Sequence, residues 1–312
     1  MSWHSVELAE LEIFRAVARE QSITRAAKAL DRVQSNVTTR VKQLEESLGV
    51  DLFQRASKQM ILTPAGQRLL GYADQLLALA EEARQSMRAD VPSGRLRVGS
   101  MESTAATLLP RPLGRFHTAW PDVEVELTTG TSQGLADAVL ERRLDCAIVA
   151  HPGAARPADI AASDVDGIGD MRDLGDMGAG LEGIFLKTEE LVLVLPATHP
   201  KVRKPEDVTL RQLAAFSRGC TYRRCAEDWL EQAGDDVRRH LSVIELPSYH
   251  AILAQVTAGS AVAIVPRSLL AMHANLGELQ TVPVRRVDTY LIHRAGFTTS
   301  AYHAFQQELR RI

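Results

Sequence analysis

The chain has 312 residues, enough for two or three domains, and its 45% apolar and 24% charged content is that of an ordinary globular protein. A formal net charge of −3 excludes a generic polyanion binder, and no stretch approaches the ~18 uninterrupted apolar residues that a membrane span needs. Three cysteines, Cys146, Cys220 and Cys225, are too few for a disulfide framework, and Met1 to Glu12 carries carboxylates and no apolar block, so a cytoplasmic, nucleoid-associated location is expected.

Residues 7–20 place Leu8, Leu11, Phe14, Val17 and Ala18 at helical spacing and predict a first helix. Ser22 is a suitable N-cap for a second helix from Ile23 to Leu30. After a short break, Val33, Val37, Val41, Leu44 and Leu48 form one apolar stripe on a third helix that stops at Gly49. Two short apolar runs, Val50 to Phe53 and Met60 to Leu62, flank the polar segment Arg55 to Gln59 and predict a small hairpin, the wing of a helix-turn-helix. Pro64 suits the first turn of a long helix reaching about Ala89. Along it Leu69, Ala73, Leu76, Ala80, Ala83 and Met87 repeat as a heptad seam, which calls for a partner helix.

Val91 to Gly94 reads as a linker, after which strands and helices alternate. Strands are expected at Leu96–Gly99, Val123–Leu127, Cys146–Ala150, Leu191–Leu195, Val243–Leu246, Ala261–Val265 and Tyr290–His293. Helices are expected near Ala105–Trp120, Gly134–Glu141, Leu210–Phe216, Cys225–Ala233, Ser248–Ala258 and from Ser300 onward. The segment from Pro152 to Leu186 holds seven glycines and shows no periodicity, so it reads as an insertion of unassigned role.

The residues Phe14 to Ala18, Ser22 to Leu30, Gln34 to Glu45, Leu48 to Arg55 and Leu62 to Gly66, in that order, resemble the LysR-type transcriptional regulators, and the likeness extends over nearly the whole chain. It implies an α+β multidomain fold: a winged helix-turn-helix over residues 1–64, a linker and dimerisation helix over 65–90, and an effector domain over 95–312. That last domain is expected as two α/β lobes similar to periplasmic binding proteins, lobe I about 95–165 and 270–312 and lobe II about 187–269. The resemblance also implies homodimers and homotetramers on double-stranded DNA with two half-sites, with RNA polymerase as a further partner.

Arg25 to Lys58 carries seven basic residues against four acidic ones, a local +3 suited to phosphate. Gln34, Ser35, Asn36, Thr38 and Thr39 supply short polar side chains at the start of the third helix, where a recognition helix meets base edges. Arg40 follows and can pair with guanine. In family terms Gln34, Ser35, Thr38, Thr39, Arg40 and Lys42 match contact positions. Arg55 on the wing is placed to reach phosphate or the minor groove, and Ser22 and Thr24 open the second helix where a phosphate can be held.

Ligands in open α/β folds sit at the carboxyl ends of strands beside helix starts. Ser100, Met101, Ser103 and Thr104 follow one such strand and Thr131 and Ser132 another; Cys220, Thr221, Tyr222 and Arg223 match a second-lobe segment bordering the same cleft, and Ser248 and Tyr249 open a further helix. Arg223 and the hydroxyls suggest a small anionic effector. An alternative is redox sensing by Cys220, with Cys225 resolving it, since Arg218, Arg223 and Arg224 would lower a thiol pKa. Metal binding is not expected: the histidines are scattered, and Asp164 to Gly167 starts a calcium loop without its closing Glu. No nucleophile elbow, phosphate loop or dinucleotide fingerprint appears, so neither an enzyme nor a cofactor is expected. An α/β enzyme fused to a DNA-binding domain is the reading from another class, and turnover without DNA would reveal it.

Overall fold

The computed structural model describes residues 6–56, 59–87, 91–151, 156–157, 171–173, 178–273 and 278–311, with side chains omitted at 55–56, 156–157, 171–173, 236 and 238. The chain forms two compact units, Met1–Arg88 and Ala89–Ile312.

The first unit is built of α1 (Leu8–Glu20), α2 (Ile23–Ala29), α3 (Gln34–Leu48), a hairpin of β1 (Phe53–Ala56) and β2 (Gln59–Leu62), and α4 (Pro64–Ser86). The predicted helix boundaries hold to within a few residues because each has a local cause, whereas the first strand of the hairpin starts at Phe53 rather than Val50 and takes in Arg55 and Ala56 from the expected polar connection. The Ser22 hydroxyl accepts the Arg25 N–H at 3.4 Å, and Gly49 ends α3 in the left-handed region at φ 68°. Phe14, Val17, Val37, Val41, Leu44, Leu52 and Phe53 bury together, with the Phe14 and Phe53 rings 5.3 Å apart. Glu45 ties the wing to α3, its Oε1 accepting the Leu52 and Phe53 N–H groups at 2.8 and 3.1 Å. Thr63 caps α4: its hydroxyl accepts the Gly66 N–H at 3.0 Å and donates to the Asp51 carbonyl at 2.7 Å.

The seam expected on α4 divides in two. Ala73 is buried in the core of this unit, and Leu69, Leu70 and Leu77 pack against that core. The exposed apolar stripe is instead Tyr72, Leu76, Leu79, Ala83 and Met87, at spacings of 4, 3, 4 and 4, with Tyr72 64% and Met87 84% exposed. One face of the first four turns of α4 serves the helix-turn-helix core, and the heptad reading merged that inward face with the outward one.

The second unit contains β3 (Gly94–Ser100), α5 (Glu102–Thr107), α6 (Pro110–Ala119), β4 (Val123–Thr129), α7 (Ser132–Leu140), β5 (Cys146–Ala150), β6 (Arg156–Pro157), β7 (Met171–Asp173) and β8 (Leu181–Pro196). Then come β9 (Gln212–Ala215), α8 (Thr221–Leu230), α9 (Asp235–His240), β10 (Ser242–Glu245), α10 (Tyr249–Thr257), β11 (Ala263–Pro266), α11 (Arg267–Leu270), β12 (Leu279–Arg294) and α12 (Ser300–Leu309). The main sheet runs β11-β8-β12-β5-β3-β4, with β6 on β12 and β7 on β8. The antiparallel strands β8 and β12, sixteen residues each, pair along nearly their whole length and carry the sheet from the β3–β4–β5 half to the β11 half. Beyond β11, a bridge from Leu213 to Val262 leads to the parallel pair β9–β10.

Several expected elements change. The helix near Leu210–Phe216 is strand β9. The single helix expected over Ala105–Trp120 is α5 and α6, divided before Pro110, which takes the first position of α6. Leu181 to Leu186, expected within the irregular insertion, is the first part of β8. The suggested calcium loop at Asp164 to Gly167 and most of the Pro152–Leu186 insertion lie outside the described residues. Among those described, no helix is long and apolar enough to cross a membrane, and no group of three His, Cys, Asp or Glu is placed to hold a metal.

Candidate DNA-binding face and effector cleft

On α3 the buried residues Val37, Val41 and Leu44 fix which way the helix faces. At about 100° per residue, Ser35 and Thr39 point directly away from them, flanked by Lys42 and Thr38 on one side and Asn36 on the other. All five are exposed, as are Gln34 and Arg40 at the two margins of this face. The Thr38 hydroxyl donates back to the Gln34 carbonyl at 3.0 Å, leaving its oxygen free to accept. Arg40 lies 3.8 Å from Glu10 of α1, and Lys42 lies 3.4 Å from Glu46. Ser22 is occupied in capping α2, while Thr24 stands exposed on its first turn. Arg55 sits on β1 opposite Met60, its side chain outside the described residues. The structure thus brings Ser35, Asn36, Thr38, Thr39 and Lys42 onto one outward face and puts Arg40 at its edge, beside α1.

In the second unit β3, β4 and β5 run parallel and end together at Ser100, Thr129 and Ala150. Helices α5 and α7 start there, and α8 and α10 start against them from the other lobe. Hydrogen bonds cross the gap from the Gln133 N–H to the Gly219 carbonyl at 3.1 Å, from the Tyr249 N–H to Glu102 Oε1 at 3.3 Å and from the Thr221 hydroxyl to the Ala150 carbonyl at 2.9 Å. Gly219 is required at this approach. Its φ is 90°, and a Cβ there would lie 3.1 Å from the Thr131 hydroxyl and 3.2 Å from the Gln133 Cβ.

Two connected cavities occupy this cleft. The inner one, about 20 Å³, is lined by Met101, Glu102, Gly130, Thr131, Ser132, Phe216, Cys220, Tyr222 and Tyr249. The outer one, about 600 Å³, shares Glu102, Gly130, Thr131 and Phe216 with it and adds Thr128, Thr129, Arg143, Ser217 and Pro247 among others. Met101, Thr131, Ser132, Cys220, Tyr222 and Tyr249 of the expected residues therefore line the inner cavity.

The remaining expected residues do structural work instead. Ser100 and Thr104 are buried and hydrogen-bond each other at 2.8 Å. The Thr221 hydroxyl donates to the Ala150 carbonyl at 2.9 Å, and Ser248 caps α10 through the Ala251 N–H at 3.2 Å. Ser103 is buried and unlined by either cavity, yet lies beside Tyr222 and Tyr249. Arg223 requires a correction. It was expected to meet an anion, but it is buried within its own lobe, its Nε on Glu227 at 2.8 Å and its Nη1 on Glu245 at 2.6 Å. Its charge is already matched twice, and it lines neither cavity.

Glu102 is the residue that sequence reasoning passed over. It stands between Met101 and Ser103, and a Glu in the first turn of a helix ordinarily reads as a partner for the helix dipole. Here one oxygen holds α10 across the cleft, while Oε2 is buried without a hydrogen bond. Burial raises its pKa, opposed by the Tyr249 N–H and the charge of His250.

The cysteines also depart from expectation. Burial raises the pKa of Cys220, and it pushes Cys225 up to about 11, outweighing the nearby guanidinium groups. Residues five apart on a helix are rotated about 140° around its axis, so the two thiols face different directions. Burial of both thiols disfavours the activated thiolate that the redox alternative needs.

Residues 8–67 match the profile described as bacterial regulatory helix-turn-helix protein, lysR family, and residues 89–312 match the LysR substrate binding domain. The chain is 33% identical over 306 residues to the HTH-type transcriptional regulator GltR of Bacillus subtilis, covering 96% of this chain and 95% of that one. It is 35% identical over 313 residues to the HTH-type transcriptional regulator YofA of Bacillus velezensis, covering 98% and 99%. Among solved structures, CbnR, a LysR family transcriptional regulator, superposes with a TM-score of 0.63 at 23% identity over 98% of this chain and 99% of that one. Full-length CbnR has also been solved with its target DNA, with a TM-score of 0.61, and a full-length OxyR variant from Pseudomonas aeruginosa gives 0.66 at 22% identity over 98% and 95%. With both of its units matched to the family's two domains, the chain belongs to the LysR family of bacterial helix-turn-helix transcriptional regulators.

Proposed function

We propose that this regulator reads DNA through the outward face of α3, works as a pair joined along α4, and is controlled by a small molecule held where α5, α7, α8 and α10 converge. The observation that carries the DNA assignment is the orientation of α3. Its two buried valines and one buried leucine leave Ser35, Asn36, Thr38 and Thr39 projecting together, which are short side chains suited to base edges. Lys42 and Arg40 flank them as phosphate contacts, with Gln34 at the helix start and Arg55, Ser22 and Thr24 toward the backbone. The Arg40–Glu10 contact is loose at 3.8 Å and its Arg40 end is 44% exposed, so Arg40 can exchange Glu10 for phosphate.

The exposed stripe from Tyr72 to Met87 supports the pairing. Two copies joined there present two α3 helices, and a two-fold pair reads two half-sites. The outer cavity, at about 600 Å³, falls in the usual size range of a small-molecule site. Occupancy of that cleft is the signal that changes operator binding or promoter activation, with RNA polymerase as the downstream partner and the nucleoid as the place of action.

Arg40→Ala tests the DNA face without knowledge of the operator. On any fixed duplex, the variant is expected to bind more weakly at low salt and to flatten the dependence of log affinity on log salt by about one unit per protomer. Unchanged affinity and slope in a gel-shift titration would remove Arg40 from the DNA surface.

A further inference from the structure

The inner end of the cleft contains a buried carboxylate oxygen that nothing in the chain satisfies. Glu102 Oε2 has almost no accessible surface and no hydrogen-bond partner. The hydroxyls of Ser103, Tyr222 and Tyr249 lie against one another nearby, Ser103 and Tyr222 being 2% and 3% exposed, and Tyr222 and Glu102 line the inner cavity. A buried carboxylate oxygen left unpaired is costly unless something fills the site. The inner cavity, about 20 Å³, has room for one water-sized group and shares Glu102, Gly130, Thr131 and Phe216 with the 600 Å³ cavity.

Glu102 is the charged residue that lines this point, and the basic group acting on it, His250, is exposed and lines neither cavity. The Arg223 guanidinium is withdrawn into its ion pairs with Glu227 and Glu245, and no cation lines the inner cavity. The convergence of four helix starts would ordinarily favour an anion, but Glu102 already supplies it. Its Oε1 accepts the first amide of α10, and its Oε2 is left pointing at no donor. A carboxylate brought to this spot would lie against Glu102. A group with several N–H donors and a positive charge would satisfy Oε2 and could also meet the Tyr222 hydroxyl, whose residue lines the same cavity.

Resting on the cleft assignment made above, we propose that the effector carries a primary ammonium group, seated in the inner cavity against Glu102 with Tyr222 and Ser103 beside it, and that the rest of the molecule lies in the outer cavity. Glu102 then has two tasks. One oxygen holds the second lobe through Tyr249 while the other recognises the ligand, so binding reports directly on the contact between α5 and α10.

The test uses the full chain and two matched probes, propylammonium and propionate, each titrated at constant ionic strength while the melting temperature is followed. Propylammonium is expected to raise the melting temperature and propionate to leave it unchanged. Glu102→Gln keeps the acceptor for the Tyr249 N–H but removes the charge, and it should weaken propylammonium binding roughly tenfold or more. Tyr222→Phe removes a single oxygen, guards against a folding defect in the first variant, and should weaken binding roughly two- to tenfold. Ser217→Trp fills the outer cavity from an exposed loop position and should block the probe. Stabilisation by propionate that Ser217→Trp abolishes would overturn the ammonium proposal and leave the cleft assignment standing. Equal propylammonium binding by the wild type, Glu102→Gln and Ser217→Trp would put the amine outside the cleft and overturn both. Failure of propylammonium to stabilise the wild type would overturn the proposal as well.

Discussion

Leu76→Asp is expected to convert the protein into a folded monomer and to lower its affinity for a two-half-site operator by about 10²- to 10⁴-fold. Leu76 is 47% exposed, sits in the middle of the stripe from Tyr72 to Met87, and contributes nothing to the core of its own unit. The substitution therefore leaves the helix-turn-helix intact, and far-UV circular dichroism should be unchanged. A seam formed by two such stripes would instead enclose an unpaired carboxylate, a group that is very costly to bury. Each protomer would keep its α3 face and its weak affinity for a half-site. What is lost is the linkage that makes the second contact intramolecular, and such linkage is worth about two to four orders of magnitude. Sedimentation gives the mass and gel shifts give the affinity; a variant that stays paired and binds normally would move the interface off α4.

Gly66→Ala should destabilise the first unit by more than about 2 kcal/mol, although alanine is normally the better helix former by about 1 kcal/mol. Gly66 lies in the first turn of α4, where the helix passes directly over the strand leading into the wing. A Cβ there would fall 2.1 Å from the Leu52 carbonyl oxygen and 2.9 Å from a Leu62 methyl. The first of these is backbone, held by the Thr63 N–H at 3.0 Å and by its neighbours' bonds to Glu45, so it has little freedom to retreat. Relief would come by shifting α4 away from the hairpin, disturbing the Thr63 cap and loosening the surface that carries α3. Thermal unfolding of the first unit should show the loss, and a variant as stable as the wild type would mean that the helix and wing adjust freely.

The same junction illustrates why the first unit was legible. Ser22, Gly49, Thr63 and Pro64 each start or stop a helix within a few residues of where they stand, and the Val37–Val41–Leu44 stripe needs only the helical period to be recognised. Where burial depended on distant strands, the sequence misled. Gln212 to Ala215 has good helix formers and was expected to coil. Its ladder with Ser242–Glu245 and the Ala214 amide bonded to the Val262 carbonyl at 2.8 Å make it a strand. The long strand β12 was visible only at Tyr290–His293, because Pro283, Arg285, Arg286 and Asp288 interrupt the apolar pattern upstream; a register shift between Pro283 and Arg285 accommodates the proline.

The candidate site divides along the same line. The residues read from the sequence as the α3 face are exposed together because one helix positions them all, and the packed helix puts Ser35 and Thr39 at its centre and Arg40 at its margin. In the cleft, hydroxyl side chains at strand ends were sought, and about half of them are capping or bracing residues. Arg223 and Glu102 exchanged importance for reasons that are only partly local: Glu227, one turn along α8, and the distant Glu245 neutralise the first, while the approach of α10 isolates one oxygen of the second.

The central claim, that two α3 faces read DNA together, is tested most directly by selecting bound duplexes from a random pool with the full-length protein. Enriched duplexes should carry two related half-sites in inverted orientation, about 10 bp or a multiple of one helical turn apart. Repeating the selection with Thr39→Ala should change bases within each half-site and leave their spacing as it was. Enrichment of a single unpaired half-site, or of no sequence at all, would contradict the account.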